Sequence, residues 1–377
     1  YAQYEIKYLE TTYLQIMSEV KEEENRKLEK LAEKKQQKGL FSGWRQKADL
    51  GALLATLQTP DKSSKSIQDE FPDLSLLAVV ELIKENEWAT RRCKKLSNKK
   101  DLASNVYEIF SELVDNVAEY VDRGLDFALS TVEVHNAKNP PMPYFFKTLQ
   151  IANSILQNLQ RHLEQSILPI VSSDLNIQLN CLKKKDTMFS KLEIKVALGL
   201  ELNLKSIIDH ASFLFESEQK KTDFKPKEAM LLNIYVDNNP TVACLRVCQF
   251  LEGQLSLILA SLYGGNREFF LTELGMQLYQ AITNALKDYQ ISHTGAIKFM
   301  RDLAEYQRVV RKFEISVVDD KFDLLREIAS LFLVAPQNIP NVLEQMKHRR
   351  VSRDELTTFI KMRADYRTEL KGLFDSV

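Results

Sequence analysis

Cysteine, glycine and proline are scarce in this sequence of 377 residues, which contains 4 Cys, 11 Gly and 10 Pro. So little glycine and proline argues against a fold rich in turns and favours long helices. Four cysteines are too few for a disulfide framework. One Asn-X-Ser/Thr match exists, Asn239-Pro240-Thr241, and its proline disqualifies it as a glycosylation acceptor. Both observations favour a reducing, cytosolic compartment.

The sequence also lacks an excess of charge of one sign and long apolar runs. The chain has 51 basic and 52 acidic residues, so it has no overall attraction to nucleic acid or to an anionic membrane. No apolar run approaches the ~20 residues of a membrane-spanning helix, and the period-two alternation typical of strands is absent. The chain opens with Tyr1 and has no signal-peptide pattern, so we expect a piece of a longer protein that begins inside a helix.

The most regular pattern present is an apolar stripe between residues 172 and 226. Its members recur at helical spacings of three and four with one step of seven: Leu175, Leu179, Leu182, Phe189, Leu192, Val196, Leu200, Leu204, Ile207, Ala211 and Leu214. Ser172, Ser173 and Asp174 are candidate N-caps, and Pro226 bars further helix. Some forty residues make a helix of roughly 60 Å, which other helices must cover. The pattern predicts an elongated all-α scaffold.

Further helices are predicted at 1–38, 74–96, 101–135, 144–170, 240–262, 267–289, 296–313, 317–334, 337–347 and 352–374. The helix at 74–96 is assigned on Leu74, Leu77, Ala78, Leu82, Glu85 and Trp88. Prolines make 136–143 a loop, and glycines with Pro60 make 39–69 a linker or long loop. We therefore expect three parts: 1–73, the end of a preceding helical domain plus this linker; 74–226, a bundle with a long spine helix; and 227–377, a C-terminal helical bundle.

No residues match a catalytic, metal or cofactor motif. Cys244 and Cys248 lie four apart on one helix face without further ligands nearby in sequence, so we expect buried core cysteines. The five histidines lack a Cys or Ser partner at a motif spacing. Asp319 and its acidic neighbours lie at the start of a predicted helix, where the positive end of the helix dipole stabilises carboxylates. We predict no enzyme activity, no cofactor and no metal site.

Two basic clusters are candidate interaction sites. The first ends a predicted helix and consists of Arg91, Arg92, Lys94 and Lys95. The second lies in a short connection and consists of Lys347, Arg349, Arg350 and Arg353. The simpler interpretation of both is solvated helix ends, since cations offset the negative end of the dipole; the alternative is contact with anionic lipid or an acidic protein patch. Without interleaved aromatic residues, we do not expect nucleic-acid binding.

Several short strings carry a resemblance. The most distinctive is Glu218-Gln219-Lys220-Lys221-Thr222-Asp223-Phe224-Lys225-Pro226. The others are Leu168-Pro169-Ile170-Val171-Ser172-Ser173, Cys181-Leu182-Lys183-Lys184-Lys185, Phe270-Leu271-Thr272-Glu273-Leu274-Gly275, Phe322-Asp323 leading into 331–338, and Met362-Arg363-Ala364-Asp365-Tyr366-Arg367. In this order they resemble the exocyst complex component 5 family, the Sec ten proteins. The likeness runs from about Leu74 to Arg367 and more faintly through residues 1–24.

The resemblance implies a rod of stacked helical bundles and membership of the exocyst, which holds secretory vesicles at the plasma membrane before SNARE-driven fusion. It implies a non-enzymatic structural subunit in the cytoplasm, recruited to plasma-membrane sites of exocytosis. The implied partners are other exocyst subunits, especially component 6, and a small GTPase of the ADP-ribosylation-factor class. Membrane association would be indirect, through the complex. The chain would correspond to the C-terminal half of the family, without its N-terminal coiled-coil region.

Two other functions stay open. A small-GTPase effector or adaptor module predicts nucleotide-dependent binding that is lost on charge reversal of Arg349, Arg350 and Arg353. A peripheral protein that binds anionic lipid predicts sedimentation with anionic liposomes at low salt, where electrostatic attraction is strongest.

Overall fold

The computed structural model describes residues 2–39, 74–133, 136–226, 239–346 and 353–370. Within these ranges the chain is helical nearly throughout and has no β-strand, and one isolated parallel bridge joins Ile291 and Arg363. The all-α prediction is therefore confirmed. The predicted linker at 39–69 lies outside the described residues from residue 40 onwards.

Contacts divide the chain into two compact units, each with its own buried apolar residues. The first unit comprises Tyr1–His135 and Met142–Asn203, and the second comprises Asn136–Pro141 and Leu204–Val377. The predicted division into residues 1–73, 74–226 and 227–377 stays a prediction.

Four helices of the first unit pack against one another around one apolar core. Helices α1 to α4 span Ala2–Gly39, Leu76–Leu96, Leu102–Glu133 and Tyr144–His162. Helix α3 contacts α1, α2 and α4, because its apolar residues form a broad stripe at helical spacing. The core includes Tyr13, Leu82, Ile109, Phe110, Leu113, Ile155 and Leu159. Removing such side chains from water contributes about 25 cal/mol per Å² of apolar surface, which drives the helices together.

The predicted helix at 144–170 is present, and a π-helical turn near its end divides it into two α-helical parts. After α4, residues Leu163–Ile167 form a π-helical turn, and Leu168–Val171 form the short helix α5. The N–H of Leu168 donates to the carbonyl of Leu163, five residues earlier. Pro169 has no N–H with which to continue the α-helical pattern. One extra residue is thus accommodated directly before the proline.

The long predicted helix is present as α6, Leu175–Glu218, with 44 residues. Of the three candidate N-caps, Asp174 accepts hydrogen bonds through its Oδ1 from the N–H groups of Asn176 at 3.0 Å and Ile177 at 3.2 Å. Leu175 and Leu179, at the start of the stripe, are exposed. The buried members of the stripe are Leu192, Leu204, Ile207 and Ala211. Periodicity therefore predicts the helix correctly and its buried face only in part.

The second unit is built from α7 to α12, which span Val242–Ser261, Gly264–Leu286, His293–Val310, Ser316–Ala329, Ile339–Met346 and Arg353–Lys361. Helix α9 contacts α7 and α10, and α8 packs on α10. At Gly275 of α8, an added Cβ would lie 2.3 Å from a methyl carbon of Val318, so only glycine allows this approach. A row of edge-to-face rings runs through the core along Phe224, Phe299, Phe332 and Phe359.

Among the described helices, α7 is long and apolar enough to cross a membrane by length and composition, a test that core helices also pass. Its buried residues include Ala243, Cys244, Val247, Leu251 and Ile258, and it packs against α9. We therefore interpret α7 as a core helix of the second unit.

The prediction of a single final helix at 352–374 is wrong. Helix α12 ends at Lys361, and a π-helical turn at Tyr366–Leu370 follows after a break. Within the break, the N–H of Ile291 donates to the Met362 carbonyl and the N–H of Ala364 donates to the Ile291 carbonyl, both at 2.9 Å. These bonds to another segment replace the helical ones, which is why the helix stops here.

Candidate interaction surfaces

The first basic cluster lies at the C-terminal end of α2 and divides into two kinds of residue. Arg92 donates from Nε to Glu5 Oε1 at 2.9 Å, and its guanidinium lies 5.3 Å from the centre of the Tyr8 ring, so it ties α2 to α1. Arg91 is an exposed partner of Glu87 at 3.6 Å. The remaining two members, Lys94 and Lys95, are exposed. Only Arg92 therefore has a clear role within the fold.

Two of the apolar residues on which the helix at 74–96 is assigned point to solvent in α2. Leu77 is 76% exposed and Trp88 is 51% exposed. The buried face consists instead of Ala78, Val79, Leu82, Asn86, Ala89, Thr90 and Cys93. Small and polar residues occupy much of the buried stripe, so the large apolar residues that mark the helix in the sequence are rotated away from it.

The second basic cluster lies largely outside the described residues. Lys347, Arg349 and Arg350 fall in the gap before α12, and Arg353 is the first residue of that helix. Their predicted contact with a partner or with lipid stays a prediction.

The string that carries the resemblance best forms an anchored turn in the second unit. After Glu218 ends α6, Asp223 Oδ2 accepts hydrogen bonds from the Gln219 side chain at 2.8 Å and the Lys220 N–H at 3.0 Å. Phe224 is buried, with its ring 5.8 Å from that of Tyr289 and 5.5 Å from that of Phe299. The string is therefore a packing element.

The carbonyl of Phe224 fixes this turn to the start of α9. It accepts a hydrogen bond from the Ser292 N–H at 2.9 Å. At Gly295, in the first turn of α9, an added Cβ would lie 1.7 Å from the same carbonyl oxygen. Glycine is therefore required at this position, because the backbone of the turn fills the space of a side chain.

A second string of the resemblance, 362–367, is built around the buried Arg363. Its Nη1 donates to the carbonyls of Leu331 and, at 2.8 Å, Val334. Its Nε and Nη2 bind the two carboxylate oxygens of Asp365 at 2.8 and 2.6 Å. This pairing lowers the pKa of Asp365. The guanidinium thus satisfies one carbonyl within the 3₁₀ turn at Ser330–Phe332 and one carbonyl that follows it.

These strings converge on one short segment between α8 and α9. Ile291 pairs with 362–364, and Ser292 pairs with Phe224. Residues 331–334, from a third string, are reached through Arg363. Three of the strings that carry the resemblance therefore link separate segments of the second unit. Sequence reasoning did not find this role, because the partners are far apart along the chain.

Each unit also contains a buried polar cluster. In the first, Asn86 donates to Tyr13 Oη at 3.1 Å and to the Ile109 carbonyl at 2.8 Å, and lies 2.9 Å from His162 Nε2. Burial lowers the pKa of His162 to about 4, so the ring is neutral near pH 7. His162 therefore acts as a structural hydrogen-bonding group.

In the second unit, the buried carboxylate of Asp302 accepts hydrogen bonds from the Thr241 N–H at 2.7 Å and the Thr241 hydroxyl at 2.8 Å. Burial raises the pKa of Asp302 to about 7. The Sγ atoms of Cys244 and Cys248 lie 4.0 Å apart, and both thiols are buried and free, as predicted. No group of three or more His, Cys, Asp or Glu among the described residues is placed to hold a metal ion.

Comparison with known proteins matches residues 1–373 to the family model described as Exocyst complex component Sec10-like, alpha-helical bundle. Human Exocyst complex component 5 is 31% identical over 296 residues, covering 78% of this chain and 41% of that protein. Its Drosophila melanogaster counterpart is 29% identical over 308 residues, covering 80% and 42%. Exocyst complex component SEC10a of Arabidopsis thaliana is 28% identical over 343 residues, covering 83% and 41%. The chain spans about two fifths of the length of these relatives. It belongs to the family of Sec10-like exocyst complex components.

Proposed function

We propose that this chain is part of a non-enzymatic structural subunit of the exocyst, which helps to dock secretory vesicles at the plasma membrane before SNARE-mediated fusion. The single observation that carries the proposal is the match of the Sec10-like family model to residues 1–373. Relatives named as exocyst components in animals and plants support it.

The structure agrees with a mechanical role. The buried polar groups Asn86, His162, Asp302 and Arg363 each contact groups of their own unit. Helices set distances, and their exposed faces are available to other subunits. In this mechanism the chain contributes spacing and docking surfaces, and no bond is made or broken.

The finer features of the proposal concern partners and location. We expect component 6 to be the principal neighbour and a small GTPase of the ADP-ribosylation-factor class to be a regulatory partner. The protein would be cytoplasmic and recruited to plasma-membrane sites of exocytosis. GTPase binding is tested by pulldown with GDP-loaded and GTP-loaded protein, and equal recovery in both states would exclude an effector role.

Affinity purification of the tagged full-length protein tests the main proposal. We expect the other exocyst subunits to be recovered together with it, and component 6 to resist the highest salt. A matched variant should carry Gly295→Ala, which is expected to destabilise the second unit and so to reduce recovery. Recovery of the intact, folded protein without any exocyst subunit would refute the proposal.

A further inference from the structure

An exposed aromatic and cationic surface lies at the C-terminal end of α2. Trp88, Arg91 and Lys95 follow one another at helical spacings of three and four, so they share one face. Exposed residues that lie beside this face or follow the helix end complete the Trp88 surface: Lys94, Leu96, Lys99 and Lys100.

The charged residues that make up the Trp88 surface are all basic. Residues 91–100 include six basic residues and no acidic residue. Arg91 and Arg92 pair with Glu87 and Glu5. Within the part of the chain that the structure describes, no ion pair includes the four lysines. Their charges are therefore available to an anionic partner.

The exposed apolar groups of this surface favour a lipid bilayer over other anionic partners. A tryptophan that is 51% exposed, with an exposed leucine about two turns further along the same helix, is costly in water and useful at a lipid headgroup layer, where the indole is both apolar and a hydrogen-bond donor. Lysines add attraction to phosphates without a fixed geometry. Tyr4 and Tyr8 of α1 are also exposed. The guanidinium of Arg92 lies over the Tyr8 ring, so Tyr8 is close to α2 and adds an aromatic group near the Trp88 surface.

We propose that the Trp88 surface binds the anionic face of a lipid bilayer. Trp88 and Leu96 enter the headgroup layer, and Lys94, Lys95, Lys99 and Lys100 contact lipid phosphates. This surface adds a direct membrane contact to the indirect association through the complex. It does not depend on exocyst membership, because the chain alone carries every group involved.

Two measurements on the purified chain test the proposal. The first is sedimentation at low salt with phosphatidylcholine vesicles, with and without phosphatidylserine. The second is tryptophan fluorescence of Trp44→Phe, which leaves Trp88 as the single tryptophan, since the sequence has two. Circular dichroism verifies that every variant is folded.

We expect binding only to vesicles that contain phosphatidylserine, weaker binding at higher salt and a blue shift of Trp88 emission. The double variant Lys94→Gln with Lys95→Gln should lower the partition coefficient roughly 30-fold, from about 1 kcal/mol per basic residue near such a membrane. The matched control, Lys191→Gln with Lys205→Gln, removes the same charge from exposed positions of α6 and should bind as the parent does.

Any of the following results in the binding assays would overturn the proposal. These are no binding to phosphatidylserine vesicles, equal binding to neutral vesicles, or equal loss in the two double variants. Unchanged Trp88 emission on binding would also overturn it, because the indole would then lie outside the headgroup layer.

Discussion

Replacing Asp302 by Asn should remove a pH-dependent loss of stability from the second unit. The carboxyl is 1% exposed, and burial raises its pKa from the ordinary value of 3.8 to about 7 in the folded state. Between these two values the folded state keeps a proton that the unfolded state releases. The free energy of unfolding therefore falls as pH rises through this window, by about 1.4 kcal/mol per pH unit.

Summed from pH 5 to pH 7, the free energy of unfolding should fall by about 2 kcal/mol. The asparagine side chain that replaces Asp302 would keep an acceptor for the Thr241 N–H and offer an amide donor to the Thr241 hydroxyl. That hydroxyl could then donate to Gln219 Oε1, which lies 3.3 Å away. Asparagine has no proton to lose, so the variant should lack this pH dependence while keeping its hydrogen bonds.

Urea unfolding of both proteins at pH 5, 6, 7 and 8 provides the measurement. His162 contributes the opposite slope, since its lowered pKa makes stability fall as pH decreases below its ordinary value near 6.5. The difference between Asp302→Asn and the parent cancels that contribution. We expect this difference to change by about 2 kcal/mol in favour of the variant from pH 5 to 7. A difference that is constant over this range would refute the reasoning.

Three further predictions concern single positions. Arg363→Lys should lower the free energy of unfolding by about 2–3 kcal/mol, because an ammonium cannot bind the carbonyls and the carboxylate that the guanidinium joins; unchanged denaturation would contradict this. Gly295→Ala should cost about 3 kcal/mol or more by collision with the Phe224 carbonyl, whereas Gly253→Ala, whose Cβ would meet nothing within 4 Å, should stabilise α7 by roughly 1 kcal/mol. Equal effects in thermal melts would refute the packing argument. The His162 ring should show no titration by NMR above about pH 5.5; a midpoint near 6.5 would show that the ring is not buried.

The sequence predicts helices well and the contacts between them poorly. Spacing and proline placed α1, α3 and α6 within a few residues of their observed bounds, because helix formation depends on local pattern. The break after α12 had no local signal, since Arg363 resembles any surface arginine until its partners are known. Pro169 was a signal for the π-helical turn, but it did not specify how the backbone adapts.

The interaction surfaces likewise combine features that the sequence predicts with features that only the structure shows. Basic residues at the end of α2 are visible in the sequence, and their candidate role followed from charge alone. The exposure of Trp88 was hidden, because a large apolar residue at helical spacing is normally assigned to the core. Only the packing of Asn86, Ala89 and Cys93 on the opposite face shows that this tryptophan points outward.

The pairing of Phe224 with Ser292, 68 residues later, and of Arg363 with Leu331, 32 residues earlier, has a consequence for synthesis on the ribosome. The turn at 218–226 leaves the exit tunnel long before its partner does. The carbonyls of Leu331 and Val334 leave the tunnel before Arg363, which donates their hydrogen bonds. The second unit can therefore close only after Arg363 has left the tunnel, and chaperones would meet it before then with its aromatic row still open.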